Sequence, residues 1–312
     1  MKHLPSLSTA PLAALLSQVP LMRADAFGAW VRANLPLLQG KAEPMDALKT
    51  RLAALNFGDD EDGDEPDDPM PWDNVPQEIT SLIGAVVTID ITGTICSGVS
   101  AFEAWCYGMT RCEDVSDALL LASMLPAKAV VLNFNSPGGF TMGTPELAEQ
   151  VAQMAKFGRQ AVVSFSAGQM CSAAYWIGSQ ARSIYATSSA QIGCIGVYSV
   201  FYDYSKALAD EGVSVDVIAS GAFKGMGTFG TSLTKDQRAF MQEDVDRTAA
   251  RFTAAVKSTR ADVTDDILNG QWYDGILSEQ NGLADRVVPS LSALVAELNS
   301  KLQPFAMPGV NG

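Results

Sequence analysis

Between Ser81 and Ser290 short β-branched apolar runs alternate with stretches of helical period, and this alternation restricts the chain more than any other feature. The runs Ala85–Ile91, Ala129–Asn135, Ala161–Ser166, Ser183–Ala186, Gly193–Ser199 and Val215–Ala219 read as strands. Several are nearly continuous in apolar residues, as strands covered on both faces must be. Helices fall between some of them. Thr144-Pro145-Glu146 opens one, with a capping hydroxyl, a proline in the first turn and an acid near the positive end of the dipole. Thr234 and Gln237 have capping-box spacing ahead of a long helix with a stripe of Met241, Val245, Ala249, Phe252 and Val256. Strands and helices in this order give an α/β domain built on a mainly parallel sheet. At 312 residues, 47% of them hydrophobic, the chain can bury a large core.

The flanks read differently. Residues 1–57 are expected to form a small helical N-terminal region, with Ala24–Leu38 amphipathic around Phe27, Trp30, Val31 and Leu35. Residues 58–80 form an acidic, proline-rich linker, residues 81–290 the main domain, and residues 291–312 a C-terminal helix and tail. Of the ten residues from Asp59 to Asp68, eight are acidic, so more than half of the net charge of −14 is confined to the linker. An acidic chain without clustered Lys or Arg is not expected to bind nucleic acid. The five cysteines form no CxxC pair, which argues against a disulfide framework or a zinc knuckle and for a reducing compartment. No apolar run reaches the roughly 20 residues a membrane span needs, and Pro11–Met22, interrupted by Pro20, makes a poor signal peptide. The expectation is a soluble, cytoplasmic protein without stable membrane insertion.

The single histidine, His3, lies at the terminus. Chemistry based on a Ser-His-Asp triad, a Cys-His pair or histidine-ligated metal is therefore disfavoured, and no metal or cofactor is expected. Any hydrolytic reaction must use another base.

Three segments could carry it. Asn135-Ser136-Pro137-Gly138-Gly139 follows a buried strand, and paired glycines there can turn backbone N–H groups toward a ligand. An ordinary strand-to-helix turn is the plainer reading. In the second segment a strand ends near Ser166, and an apolar helix is expected from Ser172 to about Ala181. A serine at a helix start is usually a cap, worth about 1 kcal/mol over alanine. A nucleophile in that place would instead have the dipole and the Ala173 N–H beside a developing negative charge. In the third, Ser220-Gly221-Ala222-Phe223-Lys224-Gly225, a lysine stands among small and apolar residues. Such a lysine is usually a surface loop residue. An unperturbed amine is neutral in only about one molecule in 2,500 at pH 7, so a lysine base must be desolvated. Composition does not select Lys224 from the other lysines.

Taken in order, these segments resemble the SppA (signal peptide peptidase A) family of serine peptidases, which share the Clp-protease/crotonase fold. Asn135–Gly139 resembles the family's oxyanion loop, and Cys171-Ser172-Ala173-Ala174-Tyr175-Trp176 its nucleophile turn. Ile192-Gly193-Cys194-Ile195-Gly196-Val197 resembles a family strand, and Ser220–Lys224 the segment with the lysine base. Asn269–Tyr273 and Asn281–Asp285 resemble its closing helices. The resemblance implies ββα units and a Ser–Lys dyad that cleaves peptide bonds through an acyl-enzyme. Lys224 would deprotonate Ser172, and the amides of Gly139 and Ala173 would hold the oxyanion, with Gly138 and Cys194 in support. It also implies protein or peptide substrates and a homo-oligomer. Ala173-Ala174 replaces the family's Gly-Gly, and Cys194 stands where a serine often orients the lysine; a thiol is a weaker hydrogen-bond partner than a hydroxyl. Cys171 is read as packing. A single catalytic unit and the acidic linker resemble the phage and prophage head-maturation proteases, which act on capsid or scaffold proteins. The alternatives are a cellular signal-peptide-degrading peptidase, a catalytically silent capsid-assembly protein of the same fold, and a crotonase-type enzyme acting on acyl-CoA.

Overall fold

A computed structural model describes residues 20–22 and 79–301. The expected helix over Ala24–Leu38 and the acidic linker before Ile79 lie outside the described residues. Within them, Pro20–Met22 is a strand, β1, where short helices were expected.

The central strands are β2 (Thr80–Ile83), β3 (Val86–Cys96), β5 (Ala129–Phe140), β6 (Ala161–Cys171), β7 (Ser183–Ala186) and β10 (Arg286–Val287). They form one sheet in the order β10-β7-β6-β5-β3-β2. Every neighbouring pair is parallel except β2–β3. Two short helices connect strands at its margins: α1 (Ala101–Cys106), opened by a capping box of Ser100 and Glu103, and α7 (Gly275–Gln280), capped by Asp274. The apolar runs are continuous because both faces are covered. Val87, Ile89, Val130, Leu132 and Val162 pack against α2 (Cys112–Met124), α3 (Thr144–Phe157), α4 (Ala173–Gly178) and α6 (Lys235–Thr259). Val86, Val131, Val163 and Phe165 face the other way, onto Leu294 and Val295 of α8 (Leu291–Lys301). This is the three-layer arrangement that near-continuous strands require.

β3, β5 and β6 run past the ends read from the sequence. Each breaks register midway, between Thr92 and Thr94 in β3 and between Phe134 and Ser136 in β5, where β6 advances from Ser166 to Met170. A break of this kind bends a strand and changes its partner. Beyond it, the tail of β3 pairs with β4 (Met109–Arg111), that of β5 with β1, and that of β6 with β8 (Gln191–Gly193). Each long strand is thus two strands of a ββα unit joined end to end, and the domain has the α/β Clp-protease/crotonase-like fold.

Some expectations are corrected. Of the strand expected over Gly193–Ser199 only Gly193 belongs to one, as the last residue of β8, and Val215–Ala219 forms no strand. Both were read from apolar residues, but Val217 and Ile218 face solvent, Ile218 fully. Trp272–Tyr273, read as part of a closing helix, is the strand β9, antiparallel to β8. The cap of α3 is Gly143, one residue before Thr144, whose hydroxyl instead donates to the Phe140 carbonyl at 2.7 Å and ties β5 to the helix. The capping box at Thr234 and Gln237 is present.

Candidate active site

Ser172 joins β6 to α4 with φ 55° and ψ −120°. Among the described residues only Ser172 and Cys194, both at φ 55°, combine a positive φ with a side chain other than glycine's. Such a backbone costs of order 1–3 kcal/mol and persists only where its surroundings hold it. Here the Ser172 N–H donates to the Gly193 carbonyl at 2.7 Å, and the Ser172 carbonyl accepts from Trp176 N at 2.8 Å. Cys194 is held likewise, its N–H donating to the Gln271 carbonyl at 2.6 Å. The two turns lie side by side because Cys171 pairs with Gly193.

The Ser172 hydroxyl does not cap α4. The capping role, the usual reason for a serine in this place, is therefore absent. Ala173, the first residue of α4, is fully buried, and its N–H has no acceptor within the helix. α4 stops at Gly178, three residues short of the expected Ala181, and anchors the turn through Trp176, which stacks on Phe252 of α6 at 4.7 Å. Tyr175, wholly buried, donates from its hydroxyl to the Leu283 carbonyl at 2.9 Å. Cys171 is buried, as its packing role requires.

The glycine pair is explained in two ways. Gly138 adopts φ 109°, which favours glycine. At Gly139 the reason is space, because a Cβ would meet the Ile95 carbonyl oxygen at 1.9 Å. Ser136, fully buried, accepts from Gly138 N at 3.2 Å and closes the loop. Pairing of Ser136 with Met170 sets this loop two residues from Ser172 across the sheet. Gly138, Gly139, Ser172, Ala173 and Cys194 therefore come from adjoining strand ends. Sequence reading gave Ser136 and the Gln271 carbonyl no role of their own; the first was visible only as part of a motif, and the second, a backbone group, leaves no mark.

Lys224 lies elsewhere in character. It is exposed, on a segment from Cys194 to Thr234 whose only regular element is α5 (Ser205–Asp210). The segment packs on itself, with Tyr204 on Phe229 at 5.1 Å, and on the start of α6, where Phe223 meets Phe240 at 5.3 Å and Gln237 donates to the Ala222 carbonyl at 2.7 Å. A hollow of about 440 Å³ beside Lys224 is lined by Val217, Ser220, Thr231 and Gln237, and not by Ser172. No hydrogen bond links the lysine amine to the Ser172 hydroxyl within the single chain. Among the described residues no group of three or more potential ligands could hold a metal ion, and no helix is long and apolar enough to cross a membrane.

Head-tail preconnector protein GP5 of Enterobacteria phage P21 is 25% identical over 250 residues, 78% of this chain and 49% of that protein. Capsid assembly protease C of Escherichia phage lambda is 26% identical over 248 residues, 78% of this chain and 53% of that one. A putative signal peptide peptidase SppA of Enterococcus faecium is 30% identical over 170 residues, 54% of this chain and 49% of that protein. The chain thus spans about half the length of the curated relatives it matches. Among solved structures, a point mutant of ClpP1 from Listeria monocytogenes aligns with a TM-score of 0.43 at 14% identity, over 66% of this chain and 94% of that one. The model of Peptidase family S49 matches residues 156–303, a range that holds both Ser172 and Lys224. Over that range the chain is similar to peptidase family S49.

Proposed function

We propose that this protein is a serine endopeptidase in which Ser172 is the nucleophile and Lys224 the general base. The observation that carries the reading is the left-handed backbone at Ser172. It keeps the hydroxyl out of the cap it would otherwise form, at the end of the strand next to the one that carries Gly138 and Gly139. The Lys224 amine would take the Ser172 proton as Oγ attacks a peptide carbonyl, and the Gly139 and Ala173 N–H groups would receive the oxyanion. The resulting ammonium would give its proton to the departing amine. The neutral lysine would then activate water to release the acyl group and restore the hydroxyl. No cofactor enters these steps.

The arm that carries Lys224 exposes Tyr202, Ile218, Phe223 and Phe229. A second copy covering that surface would take the lysine out of water, which favours the neutral amine a base must be. A homo-oligomer is therefore part of the proposal. The two phage relatives point to capsid or scaffold proteins as substrates; the SppA relative keeps the cellular peptidase reading as the second choice.

The test compares full-length wild type with Ser172→Ala and Lys224→Ala on an unfolded protein and on a co-expressed capsid protein. Both variants should lose cleavage while keeping the wild-type circular dichroism spectrum. Because the neutral amine is the active form, the wild-type rate should rise from pH 6 toward pH 9. Near-normal cleavage by Lys224→Ala refutes the dyad; cleavage by Ser172→Ala refutes the nucleophile.

A further inference from the structure

β5 has β3 on one edge along its whole length, with Thr94 opposite Gly138 and Ile95 opposite Gly139. On its other edge β6 is the neighbour as far as Ser136, opposite Met170. There β6 turns away toward β8 and ends in Ser172. The edge it leaves, Gly138 to Phe140, is taken by β1: Met22 pairs with Gly138, Leu21 with Gly139 and Pro20 with Phe140. The pairing is antiparallel, so β1 runs from Phe140 toward Gly138, in the direction of the Ser136–Met170 pair and the nucleophile turn.

A peptide presenting its carbonyl to Ser172 and to the Gly139 amide would add to this same edge as an extended strand. Its main chain would then need the place that residues 20–22 hold. Burial agrees with occupation, since Ser172 is 1% exposed and Gly138, Gly139 and Phe140 are all buried. The sequence of β1 suits a removable edge strand. Pro20 stands at its first position, where the missing N–H is tolerated, and three residues make too short a ladder to be permanent.

We infer that Pro20–Met22 is an intramolecular plug that occupies the substrate edge of β5, and that substrate must displace it. The inference rests on the peptidase reading of the site and adds a regulator to it. A segment joined to the domain through fewer than sixty residues competes at an effective concentration of about the millimolar range, so weak strand pairing suffices to slow the enzyme without silencing it.

The test uses the full chain with Leu21→Pro/Met22→Pro, which removes two backbone donors, and with Leu21→Gly/Met22→Gly, which keeps the donors but raises the cost of extension. Amide hydrogen exchange in the fragment spanning Gly138–Phe140 should be about tenfold faster in the proline variant, with the glycine variant between it and wild type. For hydrolysis of an unfolded protein, KM should fall about three- to tenfold in the same order, with kcat unchanged. Equal exchange in all three proteins overturns the docking, and faster exchange with an unchanged KM overturns the competition. If all three lack hydrolytic activity, the peptidase reading fails and competition with it, whereas the exchange comparison still decides whether the strand is docked.

Discussion

The proposed nucleophile and the proposed base sit in regions built on opposite terms. Ser172 is fixed from the buried core: β5, β6 and β8 hold the turn by backbone pairing, and Tyr175, Trp176 and Phe252 lock α4 behind it. Lys224 lies on a segment with almost no ladder, whose aromatic side chains pack on one another and still reach solvent. A strained backbone needs a rigid frame to offset its cost, which only the first region supplies. A lysine that must become neutral needs removal from water, and the arm by itself does not provide that. The contrast teaches that one half of the proposed dyad is held rigidly within the chain, whereas the other lies on an exposed arm that, in the proposed function, a second copy would cover.

The sharpest way to test that division is to remove each group and compare what is lost. Ser172→Ala should reduce cleavage about 10⁴-fold or more with the melting temperature nearly unchanged. Lys224→Ala should reduce kcat about 10²- to 10⁴-fold, again without unfolding the chain, because an exposed side chain contributes little to stability. Denaturant titration separates the regions structurally. Phe252→Ala, at a fully buried position stacked on Trp176, should cost about 3–5 kcal/mol. Phe229→Ala, 65% exposed on the arm, should change stability by no more than about 0.5 kcal/mol. Equal costs would show that the arm is as well packed as the sheet.

The same division explains what could be read from the sequence. Ala129 and Ala161 were legible as strand starts because the buried β-branched runs that follow them have few other uses. The continuations to Phe140 and Cys171 were not, since Ser, Gly, Gln and Pro there are held by backbone pairing rather than by an apolar pattern. On the arm, Val215–Ala219 carries a strand-like pattern that finds no edge to join. Ser172 and Lys224 were singled out through motif order. The positive φ of Ser172 and Cys194 had no signal, because neither is a glycine.

Two smaller effects sharpen the comparison further. Cys194→Ser should raise kcat about threefold if the arm's lysine reaches that turn, as a hydroxyl is the better hydrogen-bond partner, and should leave it unchanged if the two regions never meet. At the far edge, Arg286 and then Lys301 hold the Glu297 carboxyl down to about 2. A depressed carboxylate contributes stability above its unfolded pKa that is lost as pH falls toward 2. Glu297→Gln should thus lower the melting temperature slightly at pH 7 and not at all at pH 2, a small effect because the ion pairs lie at the solvent-accessible edge.

The most direct measurement is mass-spectrometric mapping of a fluorophosphonate probe on the full-length protein. The account predicts one covalent adduct, on Ser172, that forms far more slowly in Lys224→Ala. An adduct on another serine, or none under conditions where the protein cleaves substrate, would contradict it.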